Sequence, residues 1–152
     1  MNSNLIALCY FLLLALNSSL AVQAQSVDDV VKVEFVTSTR GYQKKVVVTP
    51  REITVIEEGR QGANRWATPF NDKQWEVIAT ALKSVNIANI PKLESPTTRR
   101  YSDAARSSVL TIHFSGDDPV SHSFDNENPN RELLPLMDAI TRLSATADEA
   151  KK

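Results

Sequence analysis

Pro69-Phe70-Asn71-Asp72-Lys73-Gln74-Trp75-Glu76-Val77-Ile78-Ala79-Thr80-Ala81-Leu82-Lys83-Ser84-Val85 decides the fold, because several independent helix signals agree across it. Asn71 is placed to cap the first turn, and Gln74, three residues later, to return the hydrogen bond as in a capping box. Phe70 and Trp75 fall at the N′ and N4 positions of a hydrophobic staple. Asp72 suits the positive end of the helix dipole. Trp75, Ile78, Ala79, Leu82 and Val85 recur at helical spacing as one apolar stripe, with Lys73, Glu76, Thr80 and Lys83 on the rest of the surface. Such a helix needs a sheet to lie on, and strand-like segments flank it on both sides.

Working outward toward the N-terminus, residues 31–35 (Val-Lys-Val-Glu-Phe) alternate apolar and charged side chains, the mark of a strand with one face in the core. A turn at 38–41 and a second strand at 42–49 complete a hairpin. Residues 53–57 form a third strand. Glycine and polar residues read 58–64 as a loop, and 65–68 as a short edge strand that hands Trp66 to the core. Toward the C-terminus, residues 86–105 lack clear periodicity, although Ile87, Ile90 and Leu93 are spaced to pack back onto the body. A loop of this length is uncommon in a small domain and is often functional.

Residues 107–114 and 120–124 then form a hairpin across a turn at 115–119. Pairing Phe114 with Val120, Ile112 with His122 and Leu110 with Phe124 puts the large apolar side chains on one side. His113 then lies on the other side, opposite Ser121, so the two histidines do not share a site. A last helix spans about 130–144, with Leu133, Leu136, Met137, Ile140 and Leu143 as its stripe and Pro135 in or before its first turn. The order βββ(β)α-ββα, built on hairpins, predicts an α+β fold: an antiparallel sheet of five to six strands with two helices on one face.

Residues 1–24 read as a secretory signal peptide. An apolar run from Leu5 to Leu16 is followed by polar residues and Val22-Gln23-Ala24, whose small residues suit a signal peptidase. The run is shorter than the roughly 20 residues needed to span a bilayer, so the expectation is an exported chain with no membrane span once mature. Cleavage after Ala24 leaves 128 residues (152 less 24), enough for one domain over 25–144 that buries roughly 65 to 70% of its unfolded surface. Residues 145–152 are polar and read as a flexible tail. Cys9, the only cysteine, lies in the leader. The mature domain therefore has neither thiol catalysis nor cysteine-ligated zinc. With 17 basic and 18 acidic residues, the charge balance offers no global field for nucleic acid or an anionic membrane.

The most unusual polar cluster is Ser95-Pro96-Thr97-Thr98-Arg99-Arg100-Tyr101-Ser102-Asp103. Arg99, Arg100 and Tyr101 on an exposed loop can clamp a carboxylate or phosphate with Asp103 orienting one guanidinium; equally, Asp103 and one arginine can pin the loop to the body. His122 with Asp103 or Asp125 is a candidate general base, against a strand histidine that serves packing alone. Ser121 or Ser123 completes a Ser-His-Asp set on paper but lacks a nucleophile elbow. Asp117-Asp118 and Asp125-Asn126-Glu127-Asn128 lack the ligand spacing of an EF-hand loop and suit turn and capping chemistry. Lys44 and Lys45, with Arg40 and Tyr42, form a small basic and aromatic patch that reads better as a solvated strand face than as a nucleic-acid site. With four glycines, none falls in a phosphate-loop or dinucleotide pattern. No metal or cofactor is expected.

Residues 35–45 (Phe-Val-Thr-Ser-Thr-Arg-Gly-Tyr-Gln-Lys-Lys), the Trp75 helix, Ser95-Pro96-Thr97 with Arg100, Asp103-Ala104-Ala105 and His122-Ser123-Phe124-Asp125 together resemble a group of small exported bacterial proteins of unknown function, over residues 35–143. The resemblance implies a bacterial envelope rather than a eukaryotic secretory route, and supplies no catalytic residues. These observations lead to a periplasmic or secreted binding module that uses the open sheet face and the 86–105 loop, with Arg99, Arg100, Tyr101, Asp103 and Lys44 as contacts. Its partner would be a protein or an anionic envelope component such as a glycan or peptide carboxylate. The alternative is a small hydrolase centred on His122 with Asp103 or Asp125.

Overall fold

A computed structural model describes residues 26–99 and 105–150; the leader expected at 1–24 lies outside them. Six strands, β1 Val30–Thr39, β2 Tyr42–Val48, β3 Glu52–Gly59, β4 Gly62–Pro69, β5 Ser107–Phe114 and β6 Val120–Asp125, form one sheet in the order β4-β3-β2-β1-β5-β6. Every neighbouring pair is antiparallel. The first four strands are a meander. Helix α1 (Asp72–Lys83) and the segment after it return the chain to the other side of β1, where β5 and β6 add on. Helix α2 (Leu134–Ala150) then crosses β2, β3 and β4 and packs against α1. The architecture is the expected α+β fold.

Helix α1 starts where its signals place it. Asn71 Oδ1 accepts from the Gln74 amide at 3.1 Å, and Gln74 Oε1 accepts from the Asn71 amide at 2.9 Å. The Phe70 amide donates to the Arg51 carbonyl at 2.7 Å, fixing the angle at which the helix leaves the sheet. Ile78, Ala81 and Leu82 are buried, while Phe70 and Trp75 are half-buried against the same core. Strand alternation supplies the other half of that core: Val33 and Phe35, Val46 and Val48, Ile53 and Val55, Leu110 and Ile112 all face the helices. Phe35 stacks on Phe124 with centroids 6.2 Å apart. Each large side chain removed from water in this layer contributes about 1.5 to 3 kcal/mol.

Four expectations are corrected. Residues 58–64 are not a loop: β3 runs to Gly59, β4 starts at Gly62, and only Arg60 and Gln61 turn between the paired glycines. The glycines mark the ends of the ladder, so the polar residues around them are strand. The β5–β6 register differs by two residues, with Ile112 opposite Val120, Leu110 opposite His122 and Ser108 opposite Phe124. Phe114 instead pairs with Val30, and the Ser115 amide donates to the Asp29 carbonyl, so β5 outruns β6 along β1. A slip of two keeps every side chain on its face. His113 accordingly lies opposite Lys32 rather than Ser121. The 86–105 segment contains a 3-10 helix, Ile87–Lys92, in which Ile87 and Ile90 share one side at the three-residue repeat and are buried.

The fourth concerns the C-terminus, where residues 145–150 are not a loose tail. The helix continues through them, Ala147 is buried, and Asp148 meets Lys44. The stripe persists there in small residues, Ser144 and Ala147, which composition reads as polar surface.

Candidate functional site

The histidine constellation comes apart on strand geometry. His122 is buried on the helix face of β6, its ring 6.0 Å from that of Phe124. Ser121 and Ser123, its neighbours, are exposed on the opposite face, where Ser121 pairs with Thr111 at 2.9 Å. Asp125 stands three residues on, about 10 Å along the strand, and its carboxylate is occupied. Asp125 Oδ2 accepts from the Thr97 hydroxyl and from the Arg99 amide. The buried carboxylate thus ties the 93–99 segment to the end of β6. Pinning is the role the sequence suggested for Asp103, which, with Arg100 and Tyr101, lies outside the described residues. Asn126, at φ 54°, turns the chain out of the strand. Asn130 then caps the next turn through the Glu132 amide and donates to the Glu94 carbonyl at 2.9 Å.

Adjacent lysines separate in the same way. Lys44 points to the helix face, 3.2 Å from Asp148 of α2 and 3.6 Å from Glu57. Burial pulls its pKa down, but the bond to Asp148 and the charges of Asp148 and Glu57 outweigh this and raise it. Lys45 points to the open face, 3.2 Å from Glu34, which also meets Lys32 at 3.6 Å. The expected basic patch is therefore two ion-paired lysines on opposite faces, and Lys44 is not available to the open face. His113, also on the open face, has its pKa lowered by burial and then by Lys32 and Lys45. Its Nε2 is buried without a hydrogen-bond partner among the described residues.

Strand direction gathers a different set of residues. Ser38, Gln43, Glu58, Ala63, Ser107 and Asp125 all lie at one end of the sheet. That end also carries two of the three turns of the meander, β1–β2 and β3–β4, and the Asp125-tied segment with exposed Arg99. The two turns interlock. Gly41 has φ 78°, and a Cβ there would come within 3.0 Å of Arg60 Nε, so the Arg60 side chain crosses over Gly41. Tyr42 reciprocates by lying 3.7 Å from the position of a Cβ on Gly59. The pKa of Tyr42 is raised by burial first, then by the charge of Glu57 and a hydrogen bond to it.

Two clefts flank this crossing. One, of about 430 Å³, is lined by Ser38, Thr39, Tyr42, Gln43, Glu58 and Arg60. The other, of about 500 Å³, is lined by Arg40, Tyr42, Glu57, Glu58, Arg60 and Asn64 among others. Glu57 is engaged by Lys44 and Tyr42, whereas the Arg60 guanidinium has no ion-pair partner among the described residues. Arg99 shares this end but not these clefts: β2 and β6 are three strand spacings apart, about 14 Å. Arg60 is the residue the sequence reading missed. A two-residue turn between Gly59 and Gly62 would have placed it beside Gly41.

No three His, Cys, Asp or Glu side chains among the described residues are grouped to hold a metal ion. No helix among them is long and apolar enough to cross a membrane. Comparison with family models, curated proteins and solved structures finds no match to the chain.

Proposed function

We propose that the protein is an exported, non-enzymatic binding domain of the bacterial envelope, and that it holds an anionic envelope component at the hairpin end of its sheet. The observation that carries this is Arg60: its guanidinium lies across Gly41 between two clefts, beside Tyr42, with no carboxylate of the described chain engaging it. A planar, always charged donor in a cleft that a phenol also lines is a combination suited to carboxylates and phosphates. The open sheet face supports ligand binding less well, since Glu34 already occupies its lysines. The hydrolase alternative is supported less again, because His122 packs in the core and the Asp125 carboxylate is taken up by Thr97 and Arg99. Export rests on the leader-like residues 1–24.

The test is the affinity of the purified protein for soluble muropeptides, which carry free peptide carboxylates, measured by isothermal titration calorimetry with and without the Arg60→Ala change. Saturable binding that Arg60→Ala abolishes or weakens several-fold supports the reading. No binding removes muropeptides as ligand, binding indifferent to Arg60 removes the hairpin end as the site, and capture of a specific protein through the same residues would replace the envelope component with a protein partner.

A further inference from the structure

We infer that the β4 edge of the sheet is a docking site for an extended, acidic peptide strand of a partner protein. The inference is independent of the hairpin-end clefts and uses different residues.

The two edges of the sheet are unlike. Alongside β6 runs the Ile87–Lys92 turn, and Asp125 ties the following segment to its end. Strand β4 is an eight-residue edge whose residues are mostly exposed. Its hydrogen-bond phase follows from one bond: the Phe70 amide donates to the Arg51 carbonyl, and Glu52 pairs with Pro69. In an antiparallel ladder, bonded and non-bonded pairs alternate. Phe70, Thr68, Trp66, Asn64 and Gly62 therefore aim their backbone groups at β3. Ala63, Arg65, Ala67 and Pro69 aim theirs outward. Pro69 has no N–H to leave unpaired, which is where proline is tolerated in a sheet. Ala63, Arg65 and Ala67 each present an N–H and a C=O with no partner among the described residues. Such a row is a template for strand addition.

Charge selects the occupant. An antiparallel two-fold pairing of β4 with a second copy that uses all three positions sets Arg65 directly opposite Arg65, and like charges in that position are destabilising. Arg65 is exposed and has no ion pair among the described residues. A strand with a carboxylate opposite Arg65 meets it instead. Ala63 and Ala67 flank Arg65 on the same face and are small, so they leave room for larger side chains two residues either side of that carboxylate. The partner segment has the pattern large-x-acidic-x-large.

The probe is acetyl-Thr-Val-Thr-Glu-Thr-Val-Thr-amide, with a second peptide carrying Lys in place of Glu, titrated into the 15N-labelled protein. The expected result is shifts and gained exchange protection at the amides of Ala63, Arg65 and Ala67, with the Glu peptide binding several-fold more tightly than the Lys peptide. Arg65→Glu, at an exposed position, should reverse that preference. Absence of shifts on β4, equal response to both peptides, a preference that Arg65→Glu leaves unchanged, or a concentration-dependent dimer paired through β4 would each overturn the proposal.

Discussion

The two faces of the sheet are made from the same strands and do opposite things. Under the helices, alternate positions of β1, β2, β3 and β5 are buried aliphatic or aromatic side chains. On the open face the intervening positions carry Lys32, Glu34, Val36, Lys45, Ile56, Val109 and His113, half-buried by one another. Lys44 and Lys45 make the contrast within a single dipeptide: one closes the C-terminal helix onto the sheet, the other neutralises Glu34. What a residue does here is set by its parity on the strand before its chemistry. The same rule consigns His122 to the core and leaves His113 outside it.

If parity governs, truncations on the two faces should differ sharply. Ile78→Ala, under the helix layer, should cost about 2 to 5 kcal/mol, whereas Val36→Ala on the open face should cost under about 1 kcal/mol. Urea midpoints of the two variants read this directly, and equal shifts would break the comparison. Trp75→Ala should fall between them, since Trp75 is only half-buried.

Asp125→Ala should cost about 1 to 3 kcal/mol, because it removes the charged acceptor of the two hydrogen bonds, from the Thr97 hydroxyl and the Arg99 amide, that hold the 93–99 segment to β6. Amide exchange at Arg99 should accelerate in that variant well before the sheet is affected. Loss of stability without that local acceleration would show that Asp125 acts elsewhere.

Lys44→Ala should cost only about 0.2 to 1 kcal/mol, as expected for a partly exposed ion pair screened by solvent. Its signature is local: faster amide exchange at Ala147 and Asp148, diminishing with added salt. Lys45→Ala should leave those amides unchanged.

The smallest effect concerns pH. The folded pKa of His113 is below its ordinary value, so the unfolded chain takes up a proton first as pH falls. The stability contributed by neutral His113 is fully present above about pH 6.5, the ordinary histidine value, and declines below it. Chemical denaturation of the protein and of His113→Gln from pH 5 to 8 should show a slope in the former that is reduced in the latter.

How much of this was legible depends on which period each segment follows. Helix α1 announced itself because capping box, dipole and stripe agree, and the structure carries all three. The strands of the core were legible from their two-residue alternation. The β4 edge was legible only in its second half, read as a short strand at 65–68, because Gly59 and Gly62 signal a turn without saying how short it is, and Ala63 and Asn64 carry no β signal of their own. The packing of Ile87 and Ile90 was legible from their spacing, but the 3-10 turn that carries them was not, because a three-residue repeat matches neither helix nor strand. The end of α2 escaped because Ser144 and Ala147 bury small side chains. At the candidate site, parity correctly separated the histidines, but the assembly of Arg60, Gly41 and Tyr42 depends on cross-strand register, which composition does not encode. Asp125, a residue weighed for catalysis and for turn chemistry, anchors the 93–99 segment.

The central claim, that the hairpin end of the sheet and not its open face meets the ligand, is tested most directly by mapping amide shifts of the 15N-labelled protein during a muropeptide titration. Shifts at residues 38–43 and 58–62, lost in Arg60→Ala, are the predicted result. Shifts centred on Val36, Lys45 and Val109 with the hairpin turns unmoved would contradict it.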